Sequence, residues 1–393
     1  MNMNNKNWVS VWGNAVSIAE HHPEAYAKYI TLRYPVYIPF DGDTLRFTFD
    51  NYCGSEAVTV TRATVSAATS PVYEKMPLAC PCKKETICDI TFSKNESVTM
   101  EAHQTAVSDP VSFPVKKGMT LTVSLYFADF TLMQSAVLVT GPLSKGFFSL
   151  GDQTHADALP MDTTKTTNWF YFLSNIELMT AEENHTVICY GDSITAGAWP
   201  DYLTLLARQN PDNHTAFIRR ATSGSRVLRQ YECITYDSYG LKGTNRFPHE
   251  IPTTGADTVI IQQGINDIIH PVGIETNPFR PMSDLPTAKE LIDGYHYYIE
   301  EAKKSHLKVY MGTLLPIFGW RTYATFRDDL RNELNAWIRS AKEIDGCIDF
   351  DLALRGSENP SAFREGFDSG DHLHPSSKAY QAMAECAYEV LQR

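Results

Sequence analysis

Residues 187–197 read V-I-C-Y-G-D-S-I-T-A-G. Val187 to Tyr190 form a short apolar run of strand type, and Gly191-Asp192-Ser193 are small and polar. From Trp199 to Gln209 the spacing is helical, with Leu203, Leu205 and Leu206 apolar and Pro200 suited to a first helical turn. The reading is strand, tight turn, helix, with Ser193 on the turn. Open α/β sheets place ligands and reactive groups there. A helix N-terminus also favours the negative charge that develops in acyl transfer. A serine on a turn is equally an ordinary structural residue, so the rest of the chain has to decide.

Downstream of Glu182 strand and helix signals alternate. Ala216 to Arg219, Val259 to Gln262, Leu307 to Gly312 and Ile348 to Phe350 read as strands. Trp199 to Gln209, Pro286 to Lys304, Thr325 to Lys342 and Ser376 to Leu391 read as helices. That alternation predicts βαβ units and a buried parallel sheet. Upstream the pattern is different. Tyr29 to Ile38, Thr44 to Phe49, Val58 to Val65, Val98 to Ala102, Thr120 to Phe127, Val137 to Thr140 and Trp169 to Leu178 are strand-like, separated by turn signals such as Asp41-Gly42-Asp43 and Lys117-Gly118. Short strands with polar turns predict a β-sandwich or jelly roll, with a turn or two of helix near Pro23 to Lys28. The expected organisation is therefore an all-β accessory domain over 1–183 and an α/β domain over 184–393.

The chain has 393 residues, a 43% apolar fraction and a formal net charge of -12, which fits two packed domains. The acidic balance disfavours nucleic acid and anionic membrane surfaces. No apolar run reaches transmembrane length, and M-N-M-N-N-K-N-W lacks a signal-peptide core, so a cytoplasmic location is expected, or export if a leader has been removed. Eight cysteines are scattered without a disulfide framework. Cys189 and Cys386 read as reduced core thiols. Cys80, Cys82 and Cys88 cluster but lack a fourth ligand and C-x-x-C spacing, so a surface loop is expected there rather than zinc.

Three further stretches bear on Ser193. Thr222-Ser223-Gly224-Ser225 follows a strand, and Gly224 there lets a backbone N–H approach a ligand closely. Gly264-Ile265-Asn266-Asp267 follows another strand. An Asn carboxamide in that place can donate to an oxyanion, although Asn also caps helices and turns there. Asp371-His372-Leu373-His374-Pro375 sets an aspartate three residues before a histidine, within reach of its Nδ1, which leaves Nε2 to take a proton from a serine. Both His372 and His374 are candidates for that base, and the spacing and the following proline favour His374.

Taken together, these four blocks resemble the SGNH (GDSL-type) hydrolase family. Gly191-Asp192-Ser193 is similar to the block carrying the nucleophile, Gly224 to the glycine block, Asn266 in G-x-N-D to the asparagine block, and Asp371 and His374 in D-x-x-H-P to the last block. The resemblance implies a flavodoxin-like α/β/α sandwich, with Ser193, His374 and Asp371 as triad and Gly224 and Asn266 as oxyanion donors. The resemblance extends into the front half. W-V-S-V-W-G from Trp8, T-L-R-Y from Thr31 and T-L-R-F-T-F-D-N from Thr44, with Asn335-Ala336-Trp337-Ile338-Arg339 later, resemble two-domain members similar to acetylxylan-esterase-like enzymes. The chain departs from that pattern in Ala221-Thr222-Ser223, where many members have Gly-Ile-Ser, and in Ser225, where many have Asn.

The chemistry implied is ester hydrolysis, with no metal and no organic cofactor. The resemblance points to O-acetyl groups on xylan- or mannan-type poly- or oligosaccharides. A broad arylesterase or lipase-like acyl hydrolase is the competing enzyme, and a carbohydrate-binding protein the alternative from another class. Asp192, Trp199, Arg226, Arg246, His270 and Trp320, with Arg321 behind them, lie near the site loops and are the expected substrate contacts. The front domain is expected to shape the cleft. The sequence sets no oligomeric state.

Overall fold

A computed structural model describes residues 6–19, 25–230 and 239–392. It divides into two compact units, Met1–Thr186 with Arg208–Ile218, and Val187–Ala207 with Arg219–Arg393. Residues 208–218 thus group with the first unit, which a single cut in the sequence did not anticipate.

The first unit is built of antiparallel strands. Lys6–Gly13, Leu173–Ala181, Gly42–Asp50 and Thr105–Val107 are neighbours in one sheet, with Val111–Val115 also on Gly42–Asp50. A second sheet runs Lys165–Thr167, Gly146–Leu150, Ile30–Tyr37, Thr120–Phe127, Arg62–Ala67, Cys88–Ile90. The period-two pattern of Gly42–Asp50 explains its placement, because Leu45, Phe47 and Phe49 are fully buried on one face while Arg46 and Thr48 alternate with them.

Three expectations are corrected here. Trp169 to Leu178 is not one strand: Phe172 takes a left-handed φ of 61°, and the chain passes from a pairing with Ser135–Leu138 to the first sheet. Tyr26–Ala27 is a strand paired with Thr131–Leu132, not helix, and the rest of that expected helix up to residue 24 lies outside the described residues. Cys80 and Cys82 are buried, not on a surface loop. Cys80 packs with Met76, Phe147 and Leu159, and burial pushes its thiol up to about 12. The described cysteines are free thiols.

A five-stranded sheet holds β1 (His185–Gly191), β2 (Thr215–Ala221), β3 (Ala256–Gln262), β4 (Lys308–Gly312) and β5 (Gly346–Ile348), and the second unit takes in all of it but residues 185–186 and 215–218. Their order in the sheet is β2-β1-β3-β4-β5, which is the flavodoxin-like order. β3 pairs β4, and β4 pairs β5, in parallel. Val187 to Tyr190 and Val259 to Ile261 are buried throughout, as strands covered on both faces must be. The helices are α1 (Ser193–Ala196), α2 (Trp199–Arg208), α3 (Gly243–Glu250), α4 (Ile265–Ile269), α5 (Ala288–Lys304), α6 (Thr325–Ser340), α7 (Phe350–Leu354) and α8 (Ser377–Leu391). α5 packs on α3 and α6, α6 on α4, and α7 on α8. Thr287 caps α5 in a capping box with Glu290, so Pro286 precedes the helix instead of opening it. Asn335 on α6 accepts from Leu314 N at 2.7 Å and donates to Leu314 O at 2.8 Å. That pair ties α6 to the chain leaving β4. None of the described helices is long and apolar enough to cross a membrane.

Candidate active site

β1 ends at Gly191, where any Cβ would collide with Gln262 O and Thr195. Only glycine lets the end of β1 pass so close to the end of β3. Asp192 then caps α1, its Oδ1 accepting from Ile194 N at 3.0 Å, and Ser193 becomes the first helical residue. Asp192 is fully buried. Burial pushes its carboxyl up to about 7, with a further push from Asp267 and a countering pull from the Ile194 N–H.

The candidate base comes from the loop before α8. Ser193 Oγ lies 2.9 Å from His374 Nε2, and His374 Nδ1 lies 2.6 Å from Asp371 Oδ2. The other carboxylate oxygen of Asp371 accepts the N–H groups of His374 at 2.8 Å and Leu373 at 3.0 Å. Partial burial alone would raise the Asp371 carboxyl, but these hydrogen bonds, led by the His374 ring, overcome it and hold the group at about 2. An ionised Asp371 keeps the proton on Nδ1, so that Nε2 faces the serine as an acceptor.

The loop after β2 is clamped from several sides. Gly224 has φ +76°, and a Cβ there would collide with the ring of Tyr239. Ser225 Oγ accepts from Arg246 Nη1 at 2.7 Å and from Gln263 Nε2 at 2.8 Å. Ser225 O accepts from Asn266 Nδ2 at 3.1 Å, and Asp267 accepts Val227 N at 2.8 Å and Leu228 N at 3.0 Å. The residues following β3 therefore hold the residues following β2. Ser225 is the knot of that clamp.

The family model described as a GDSL-like lipase/acylhydrolase matches residues 189–382, from the strand before Ser193 into the helix after His374. The second half of this chain belongs to the GDSL-like (SGNH) hydrolase family. Similar solved structures include a GDSL-like lipase from Bacteroides thetaiotaomicron, at 20% identity over 54% of this chain and 89% of that one, TM-score 0.39. Another is a member of the lipolytic G-D-S-L family from Veillonella parvula, at 18% identity over 53% and 99%, TM-score 0.36. A third is a catalytic mutant of an acetylxylan esterase from Geobacillus stearothermophilus, at 15% identity over 52% and 93%, TM-score 0.38. None of the curated proteins matches the chain.

Within the GDSL-like half, five of the expected substrate contacts are in the interior. Trp199 is fully buried, with its ring 5.5 Å from that of Phe350 and its indole N–H directed at Thr195 Oγ1, so it has no face for a sugar. Arg246 is buried and forked onto Glu250 at 3.0 and 2.9 Å, and it also donates to Gly191 O and Arg220 O. It braces the site loops instead of meeting substrate. Arg226 is buried near Asp267. The His270 ring is buried and stacked on Tyr239 at 5.2 Å. Burial, with Arg280, Arg226 and Arg321 nearby, holds it well below its ordinary titration and hence neutral. Asp192 is engaged as a helix cap. Trp320 is half-buried, with Arg321 over its ring at 4.6 Å, and keeps partial access. Sequence reasoning missed Tyr239, Gln263 and Asp267. Asp267 stood in the quoted block, but its work is on backbone amides brought in by β2, which no local pattern encodes.

Proposed function

We propose that this chain is a serine esterase that removes O-acetyl groups from carbohydrates of the acetylated xylan or mannan type. Ser193 Oγ attacks the acyl carbonyl while His374 Nε2 takes its proton, and Asp371 stabilises the imidazolium. The N–H groups of Ser193 and Gly224 and the Asn266 carboxamide receive the oxyanion, each such donor being worth about 3 kcal/mol of barrier. The alcohol leaves with the proton from His374, and water cleaves the acyl-enzyme with the same base. Neither a metal nor an organic cofactor enters these steps.

The observation that carries the reading is the unbroken hydrogen-bonded run from Ser193 Oγ to His374 at 2.9 Å and on to Asp371 at 2.6 Å. The carbohydrate part is supported by the resemblance of the front-half strands to acetylxylan-esterase-like enzymes, by the half-buried Trp320, and by the lack of a long apolar stretch to line an acyl tunnel. The front unit is read as a jelly-roll accessory domain.

The test is acetate release from acetylated xylan, mannan and their oligosaccharides, beside 4-nitrophenyl esters of rising chain length. Short acetyl esters of sugars are the expected substrates, and Ser193→Ala is expected to abolish turnover in a folded protein. Preference for long acyl chains rejects the carbohydrate reading in favour of a broad acyl hydrolase. Undiminished turnover by Ser193→Ala rejects the serine mechanism.

A further inference from the structure

The loop that presents His374 contains a second aspartate–histidine pair. Asp368 Oδ2 lies 2.5 Å from His372 Nδ1. Its other oxygen accepts the N–H groups of Gly370 at 2.8 Å and His372 at 2.9 Å. His372 holds a left-handed φ of 63°, a conformation that residues with a side chain rarely adopt. Half of the side chain, 51%, is exposed.

The placement of the ring is specific. It lies against Gly319, where a Cβ would come within 2.8 Å of the imidazole Cγ and 3.0 Å of Cδ2. Gly319 is itself left-handed, at φ +93°, and sits between the exposed Phe318 and the half-buried Trp320. So His372 joins the loop after β4 to the loop of the base. With a carboxylate at Nδ1, the proton of a neutral His372 belongs on that nitrogen, and Nε2 carries a lone pair. Nothing among the described residues hydrogen-bonds that Nε2.

We propose that His372 determines specificity for the alcohol half of the ester: its Nε2 accepts a hydrogen bond from a hydroxyl next to the ester oxygen. The inference rests on the carbohydrate-ester reading, and it names the group that recognises a polyhydroxylated leaving alcohol. His374, two residues away in the same loop, faces Ser193 Oγ at 2.9 Å, which sets His372 on the loop bordering the departing alcohol. Asp368 acts through His372, as the residue that fixes its tautomer. An aryl leaving group has no hydroxyl to offer.

The test compares two acetate esters with different alcohols, an acetylated xylo-oligosaccharide and 4-nitrophenyl acetate, using the full chain. The quantity read is the ratio of kcat/KM for the sugar ester to that for the aryl ester. His372→Ala is expected to lower this ratio about tenfold, the size of one hydrogen bond to a neutral acceptor. His372→Gln, whose carboxamide oxygen also accepts, is expected to recover part of it. An unchanged ratio in both variants overturns the inference, whether the two rates hold or fall together. Wild-type protein that cleaves 4-nitrophenyl acetate and releases no acetate from the sugar ester instead removes the carbohydrate reading, and this inference with it.

Discussion

Ser225→Ala tests whether the loop carrying Gly224 is held by a buried hydroxyl. In the wild type that oxygen accepts from Arg246 at 2.7 Å and from Gln263 at 2.8 Å. All three residues are about 2% exposed, so water cannot replace the missing acceptor. Leaving the neutral amide unsatisfied costs about 1–3 kcal/mol, and losing the bond to the guanidinium about 1.5–3 kcal/mol, or roughly 3–5 kcal/mol together. For a unit of this size that is a fall in Tm of roughly 10 °C. The two units need not melt together, so calorimetry should assign the shift to one transition. Activity should fall as well. Ser225 O is the acceptor for Asn266 Nδ2, and Gly224 is its chain neighbour. A displacement of about 1 Å at a catalytic donor can cost about 100-fold, so kcat should drop between about 10- and 100-fold with little change in KM. An unaltered Tm with unaltered kcat refutes the clamp. A lowered Tm with full kcat would mean that the hydroxyl stabilises the fold without setting the oxyanion donors.

Asn266→Ala should lower kcat by about 100- to 1000-fold with a near-constant KM, as for loss of one oxyanion donor; steady-state kinetics on 4-nitrophenyl acetate reads this. Asp371→Asn keeps an acceptor for the Leu373 and His374 amides but turns an N–H donor towards His374 Nδ1, favouring the wrong tautomer. A kcat loss of at least about 100-fold is expected, and a loss below threefold would deny Asp371 its orienting role. Asp192→Asn should flatten the pH dependence of stability. The folded carboxyl titrates at about 7 and the unfolded one at about 3.9, so between those values the folded chain holds the extra proton. Stability therefore falls as pH rises through that window, by up to about 4 kcal/mol. Urea midpoints at pH 5 and pH 8 should differ less in the variant than in the wild type, and equal differences would contradict the buried, raised Asp192.

The four blocks were legible in sequence because each follows a signal that is itself local. β1 and β3 each contain a short apolar run, Val187 to Tyr190 and Val259 to Ile261, and small polar residues soon after such a run stand at the sheet's carboxyl edge. What failed was the reading of polar and aromatic residues near those blocks as exposed. Arg246 pairs with Glu250 four residues on, but the helix that makes them neighbours, α3, contains Pro248 and was not expected. Without the helix, the i,i+4 partner had no meaning. Trp199 carried a readable signal that was passed over. Trp199, Leu203 and Ala207, each four residues apart, are all buried, which is the inner stripe of α2. Arg226 and His270 were beyond reach, because their surroundings come from loops distant in the chain. Phe172 shows the same limit in the front unit, since an apolar run of strand type says nothing of the one left-handed residue that divides it between sheets.

Strand order explains why the site's parts depend on one another unequally. β2, β1 and β3 are consecutive neighbours in the sheet, and the residues following them supply Gly224, Ser193 and Asn266. All three follow strands of the sheet, and Ser225, Gln263 and Asp267 lock the loops of Gly224 and Asn266 together. This is also the place where the strand order reverses, the crevice in which open α/β sheets bind ligands. His374 has no such support, for its loop follows β5 and α7 at the sheet's edge. It is closed instead by its own bonds: Ser369 N to His374 O at 3.0 Å, Ser376 Oγ to Gly366 O at 2.8 Å, and the Asp368–His372 pair. His372 against Gly319 then ties that loop to the chain following β4. Ser193, Gly224 and Asn266 are thus positioned by the sheet, whereas His374 is held by the bonds of its own loop and by the packing of His372 against Gly319.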